Sequence, residues 1–600
     1  METFLPLLER TLTADFVPHL PALLDRTRPQ PEQDKKNLSR AFSAFAICKI
    51  CSISNVDASK SVVDDFDDYG IDAIFFHGQT DTLYFIQSKL KPSEEFKQGE
   101  ALAFCQGIRK LIQQDFVGFN KNVQDRKIEI EDALDTCSAI QLVVAHIGTG
   151  ISNHAKTAVE ELLSDDTHGE DRLKTEYIDY GTSRVISDLR AAKAYERVDT
   201  EIWVEKCCKV DEPRLTYFGL VHVSDLITLH QRYPVALYAK NIRTFLGIRK
   251  SDDVNTSIQQ SLRDHPQDFM YFNNGVTTLC DIVEPKGQKN SKGGKKRLKV
   301  RGFSVINGAQ TIASSASFAA SNPTQDISKA RVAFTLIKAD SGTDFGKSVT
   351  KARNHQNPVT LSDFVALDDE QERLRCDLAH IGIHYFYKAG ATEASCGTVQ
   401  IHVAKAAQAL SFFNPDPRYT VWIKKDSSKL LDTNSEQYKS LFDSSLSAFK
   451  VANAVIFNDY IQARIAEEMD NSAGQERLIY RHGNLVLAWV LAKRVLQGAN
   501  KPVLFDLNKL NSSLSVEFDS FRQILVDTTR RMATSKGPLS FYRNQADVIP
   551  LIIEIMIQSY GLSSDPVIGY KRMQGATNAN YPKDLVDYMI SKAPQIGNLS

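Results

Sequence analysis

Two short segments of this chain carry side chains that could hold a metal ion and attack a phosphodiester. Gly70-Ile71-Asp72 is followed, after fourteen residues, by Gln87-Ser88-Lys89. Aspartate offers a hard cation an anionic oxygen, and a glutamine carbonyl offers a neutral one. A neighbouring lysine can orient or deprotonate the attacking water and offset charge on a phosphate. The expectation is therefore a catalytic set of Asp72, Gln87 and Lys89. Asp72 and Gln87 are its metal ligands, and Mg2+ or Mn2+ is the ion.

Such a set works only if the fold brings it together. IDAIFFH (71–77) and TLYFIQSK (82–89) are aromatic and β-branched runs around Gly78-Gln79-Thr80-Asp81, which predicts a hairpin. Side chains alternate along a strand, so Gln87 and Lys89 share a face. The hairpin lays the start of its first strand beside the end of its second, where Asp72 can approach them. An acidic loop, 64–70, leads into the hairpin. Before it, Leu38, Phe42, Phe45, Ala46 and Ile50 recur at helical spacing over 32–51. After it come a helix over 94–116, a strand at 140–147, a helix near 152–163 and a strand at 175–180. The order predicts an α/β domain over 31–190, a mixed sheet flanked by helices. Residues 1–30 read as a short helix and a proline-marked linker. A plainer reading also fits these residues, since aspartate after glycine often opens a strand and polar alternation marks any solvent face.

The GID…QSK pattern resembles the PD-(D/E)XK nuclease core in its Mrr-like restriction-endonuclease variant, where glutamine replaces the glutamate before the lysine. The resemblance implies that Asp72 is the motif aspartate, Gln87 the second ligand and Lys89 the motif lysine. Such enzymes often add a glutamate from the preceding helix. Here that helix offers Ser39, Ala41 and Ser43, Glu32 lies early, and Asp57 and Asp64 fall in loop-like sequence. The upstream carboxylate has no assigned residue.

Four polar clusters mark the middle of the chain. They contain Asn241-Ile242-Arg243, Asn273-Asn274-Gly275-Val276-Thr277, Ile306-Asn307-Gly308-Ala309-Gln310-Thr311 and Arg353-Asn354-His355-Gln356-Asn357. Asn-Gly pairs favour tight turns, and amide side chains present paired donors and acceptors suited to a base edge or nucleotide. These clusters closely resemble the AIPR family, named for abortive infection and phage resistance, over 210–440. That resemblance implies bacterial antiphage defence. The central α+β domain would then serve recognition or dimerisation, with a nucleotide, a phage-derived trigger or a second copy of the chain as partner. Asn273, Asn307, Gln310 and Asn354 are expected to converge on one pocket or interface that gates the nuclease.

The remaining signals set bounds. Formal charge is −1 and pI about 6.9, so no general polyanion affinity follows. Basic residues concentrate in one stretch, 286–301. There Lys295, Lys296 and Arg297 are expected to contact nucleic acid, each contributing about 0.9 to the log–log salt slope. Nine cysteines at irregular positions make no disulfide framework, and Cys48 and Cys51 form a lone CxxC. Gly342 to Ser348 imitates a phosphate-binding loop but is one residue short between its glycines. The apolar runs at 485–492 and 548–557 are too short to span a bilayer, and the N-terminus does not read as a secretory signal. From 441 to 600 the pattern is helical. Together these readings predict a cytoplasmic metal-dependent endonuclease acting on DNA and gated by the central domain. The alternative is a catalytically inactive nucleic-acid or nucleotide sensor.

Overall fold

The structure, a computed structural model, describes residues 4–165, 172–241, 253–286, 295–340, 343–354, 365–388, 399–534, 536–575 and 582–600. The chain divides into two compact units, Met1–Ala194 and Tyr195–Ser600.

The first unit opens with α1 (Leu5–Asp15), α2 (Gln30–Cys51) and α3 (Asn55–Lys60). The hairpin follows as β1 (Ala73–His77) and β2 (Thr82–Lys89), then α4 (Gln98–Ile112), α5 (Lys121–Asp125) and α6 (Lys127–Thr136). It ends with β3 (Ala139–His146), α7 (Asn153–Leu163), β4 (Ile178–Tyr180) and α8 (Thr182–Ala191). The sheet order is β1-β2-β3-β4, with β1 antiparallel to β2 and the other pairs parallel. This is the mixed sheet that the alternation of runs predicts. Leu83 and Phe85 share one core with Phe104 and Ile108 of α4 and Val159 and Leu162 of α7. On the opposite face Ser88 meets Ser43 of α2, their hydroxyls 2.8 Å apart. Helices thus cover both faces, and Gln87, Ser88 and Lys89 make a polar C-terminal end of β2. Helices α5 and α6 were not legible because their buried positions, Val123, Ile130, Ala133 and Leu134, are sparse among charges.

The second unit builds a seven-stranded sheet from β5 (Thr200–Val210), β6 (Thr216–His222), β7 (Val276–Cys280), β8 (Ile282–Lys286), β9 (Lys296–Arg301), β10 (Ser304–Asn307) and β11 (Arg331–Lys338). Its order is β10-β7-β11-β6-β5-β9-β8. Helices α9 (Val223–Arg232), α10 (Asp253–Asp264), α11 (Phe269–Phe272), α12 (Ala309–Ser321) and α13 (Asp344–Asn354) are interspersed with these strands. Leu226, Leu262 and Ile312 from α9, α10 and α12 share one core with Ile202, Leu298, Val332 and Leu336 of the sheet. The C-terminal part is helical, with its longest elements at Ala448–Asn471, Gly474–Ala492 and Leu507–Met532. Trp489 and its apolar neighbours are buried among them, so the 485–492 run is a core helix. No described helix is long and apolar enough to cross a membrane.

Candidate functional site

The loop between α3 and β1 folds sharply because three of its residues adopt left-handed backbone: Asp67, Tyr69 and Gly70. The backbone N–H groups of Val63 and Asp64 both donate to the Asp72 carbonyl, at 2.8 and 3.0 Å, which pins the loop's start beside its end. The Gly70 N–H donates to Asp68 Oδ1 at 2.8 Å. The result is an acidic trio. Carboxylate oxygens of Asp64, Asp68 and Asp72 lie within 4.8 Å of one another and form a group that could hold a metal ion.

The electrostatics of this trio are those of a site short of positive charge. Burial, then the charges of Asp64 and Asp68, push the Asp72 carboxyl well above its ordinary range, against the Ser88 hydrogen bonds. Burial and Asp64 push Asp68 up to about 6. Asp64 is raised by burial even though Lys36 lies 3.2 Å away and buried Arg40 acts on it. Those two cations stand one turn apart on α2. On this side α2 supplies basic residues and not a glutamate.

Gln87 completes the arrangement. It is 7% exposed, and its Oε1 is buried with no hydrogen-bond partner among the described residues. Its amide lies against the acidic loop, since a Cβ built on Gly70 would come within 3.0 Å of Gln87 Nε2. Across the hairpin from Asp72, such an orphaned buried carbonyl oxygen is costly unless a donor or a cation takes it. The donor set is all oxygen, which fits a hard divalent ion such as Mg2+ or Mn2+.

Lys89 stands on the same face of β2 but is engaged elsewhere. Its ammonium donates to Glu95 O at 2.8 Å and lies 2.8 Å from Glu100 Oε1 and 3.2 Å from Glu94 Oε2. Burial opposes its charge, but Glu100 and Glu94 outweigh burial and raise its pKa. A lysine held as ammonium can orient and neutralise; it cannot take a proton. Beside it in register, His146 is 5% exposed, with Nε2 3.0 Å from Asp179 Oδ1 and Nδ1 buried without a partner.

A cavity of about 320 Å3 adjoins the acidic loop, lined by Arg28, Lys35, Lys36, Asp65 and Phe66 among others. Its cations are matched by carboxylates: Arg28 pairs with Asp25 and Glu32, and Lys36 with Asp64 and Asp65.

Gly70→Ala tests this packing. The residue has φ +72°, and a Cβ there would meet Phe104 N at 2.8 Å as well as the Gln87 amide. Strain of this kind costs on the order of 1–3 kcal/mol. The variant is expected to melt several degrees lower and to bind Mn2+ more weakly by calorimetry. Wild-type values for both would show that Gln87 is not held by this loop.

The basic strand of the second unit carries less free charge than its sequence suggests. Lys295 Nζ lies 3.3 Å from Glu205 Oε1, and Arg297 pairs with Glu201, which also holds Lys286. Replacing Lys295, Lys296 and Arg297 by glutamine is therefore expected to flatten the log–log salt dependence of nucleic-acid binding by about one unit. Three free phosphate contacts would give about three. Salt titrations of wild type and triple variant distinguish the two.

The amide-rich motifs tie elements of this unit together. Asn241 is buried and donates its N–H to Tyr238 O at 2.9 Å. Asn273 donates from Nδ2 to Phe269 O at 3.0 Å, closing the end of α11, while Asn274 is exposed. Gly275 runs so close to β11 that a Cβ would meet Ala333 O at 2.9 Å. Asn307 pairs with Thr277 across β10 and β7 and donates to Arg353 O at 2.8 Å, joining three of the motifs. Gly308 has φ +92°, and a Cβ there would lie 2.9 Å from Val276 Cγ2. Gln310 donates to Asn255 Oδ1 at 3.1 Å, an oxygen that also takes the Ser314 hydroxyl at 2.6 Å. Thr311 is buried and its carbonyl accepts from Ser315. Arg353 is exposed; Arg243, Gln356, Asn357 and the Asn354 side chain lie outside the described residues.

Comparison with known families now decides what these motifs belong to. Residues 238–530 match the family described as AIPR protein. This region is an AIPR domain. No curated protein and no solved structure matches the chain. The AIPR match extends through the helices Ala448–Asn471 and Gly474–Ala492 to most of Leu507–Met532, so the domain joins sheet and helical bundle.

Sequence reasoning did not name Asp64 and Asp68 as ligands. A signal was present, since Asp64, Asp68 and Asp72 recur every fourth residue in the densest acidic stretch of the region. That spacing suggests a helix face, whereas here a loop with left-handed residues gathers them. His146 and Asp179, on separate strands, left no local pattern.

Proposed function

We propose that the first unit is a divalent-metal-dependent nuclease that hydrolyses DNA, under control of the AIPR domain, as part of bacterial antiphage defence. The observation that carries this reading is the acidic trio, with Gln87 across the hairpin from Asp72 and its buried carbonyl oxygen without a hydrogen-bond partner among the described residues. Asp64, Asp68, Asp72 and Gln87 Oε1 would hold the ion. When bound, a divalent cation supplies Lewis-acid stabilisation of the charge that develops on the phosphate. Ser88 fixes Asp72, with its N–H and hydroxyl donating to Oδ2 at 2.6 and 2.9 Å. Lys89, kept charged by Glu94 and Glu100, offsets phosphate charge at the same sheet edge. The defence role rests on the AIPR match and on the resemblance of the motifs.

One observation favours a second reading. The Lys89 ammonium already has three protein partners, an arrangement that suits a binding site without turnover. Incubation of the purified protein with plasmid, linear DNA, single-stranded DNA and RNA, each with Mg2+, Mn2+ or EDTA, separates the two. Scission of DNA that needs the metal is expected. Binding without scission under every metal would favour the sensor.

A further inference from the structure

We infer that the open half of the seven-stranded sheet's outward face, over β6, β5, β9 and β8, is a stacking platform for single-stranded nucleic acid, centred on Trp203; the β10-β7-β11 end of that face is covered by Phe345 and Val349 of α13. This goes beyond the cleavage reading and does not depend on it. On β5, Ile202 and Val204 are buried in the core, so Glu201, Trp203 and Glu205 point outward. Trp203 is 43% exposed, and Phe218, on the same face of β6, is 41% exposed. Large rings left on a sheet surface forgo burial worth about 25 cal/mol per Å2, which marks such a face for a partner.

The surroundings say which partner. Arg297 stands across from Trp203 in register, with its guanidinium 5.6 Å from the ring centroid, and Lys295 Nζ lies 5.7 Å from it. Glu201 and Glu205 hold these cations in a fixed fan around the ring. Over this open half and the start of β11, Lys286, Lys295, Arg297, Lys299, Arg301 and Arg331 stand against three carboxylates, Glu201, Glu205 and Glu284, with Arg331 also paired to Glu205. The face is thus locally basic in a chain whose formal charge is −1. An exposed aromatic among fixed cations matches a ligand with a π-face and a phosphate in each repeat. Single strands offer both; a duplex hides its base faces and can use only the cations.

The test uses the full chain in EDTA, with intrinsic fluorescence read while oligo(dT), oligo(U), a duplex of equal length or polyglutamate is added. The chain has three tryptophans, and Trp489 is fully buried. Both single strands are expected to quench the emission and to bind more tightly than the duplex. Trp203→Leu should weaken single-strand binding by about fivefold or more and remove the quench. Trp203→Phe keeps a stacking ring, so it should bind within about twofold of wild type while its emission stays unresponsive. Unchanged affinity in Trp203→Leu, a quench that survives in Trp203→Phe, or a duplex or polyglutamate bound as tightly as the single strands would overturn the inference. In EDTA no metal-dependent cleavage enters this reading. Failure of cleavage and failure of this platform are therefore read separately.

Discussion

Asp72→Asn is expected to lower metal-dependent cleavage by about a thousandfold or more while raising the melting temperature of the metal-free protein. The two effects have one cause. Asp72, Asp64 and Asp68 crowd their oxygens within 4.8 Å, and Asp72 is 9% exposed. At an effective dielectric of about 20, ionised carboxylates about 5 Å apart would repel by about 3 kcal/mol, so Asp72 either bears that repulsion or stays protonated, which also costs stability at neutral pH. Asparagine removes that repulsion and keeps a side-chain oxygen to accept from the Ser88 N–H and hydroxyl. Each kcal/mol relieved is worth about 2–4 °C in a domain of this size. The cost falls on chemistry, because several kcal/mol of metal-dependent stabilisation corresponds to about three decades in rate. Cleavage rates and thermal melts of the same preparation check both halves. If the aspartate merely opened a strand, the variant would melt lower and cut normally.

The second large effect is a stabilisation by divalent cations that grows with pH. Asp64, Asp68 and Asp72 all have pKa values raised in the folded protein, Asp68 to about 6, against about 3.9 in an unfolded chain. Between about pH 4 and 6 the folded state therefore holds more protons than the unfolded state. Stability has a slope set by protons bound unfolded minus folded, so this contribution is full below about pH 4 and is lost as pH rises. A bound cation compensates the same carboxylates once they ionise. Mn2+ is expected to raise the melting temperature little at pH 5 and by several degrees at pH 7.5, and Asp68→Asn should reduce that difference. An Mn2+ effect equal at both pH values, or unchanged in Asp68→Asn, would mean that the ion binds elsewhere.

How far the sequence announced this site follows from the range of each interaction. The hairpin was legible because strand alternation and a four-residue turn are local, and β1 and β2 pair in the register that sets Asp72 beside Gln87. The parallel partner of β2, β3, was readable as a strand, but not what it brings, since Lys89 meets His146 only through pairing 57 residues away in sequence. The carboxylates were harder still. A spacing of four residues ordinarily marks a helix, and only the left-handed backbone of Asp67, Tyr69 and Gly70 turns it into a cluster. In the second unit the Asn-Gly motifs announced turns, while the link from Asn307 to the Arg353 carbonyl depends on how α13 packs. The basic strand was legible as charge, but its partners Glu201 and Glu205 lie on another strand.

The account's central claim is that a divalent ion sits among Asp64, Asp68, Asp72 and Gln87. Iron-directed cleavage of the polypeptide tests that location most directly. Fe2+ replaces Mg2+ at oxygen-rich sites, and with ascorbate and peroxide it cuts the chain beside the bound ion. The expected fragments end within 63–73 and 86–89, disappear with excess Mg2+, and are absent from Asp72→Asn. Cuts confined to other segments, or the same cuts in Asp72→Asn, would contradict the account.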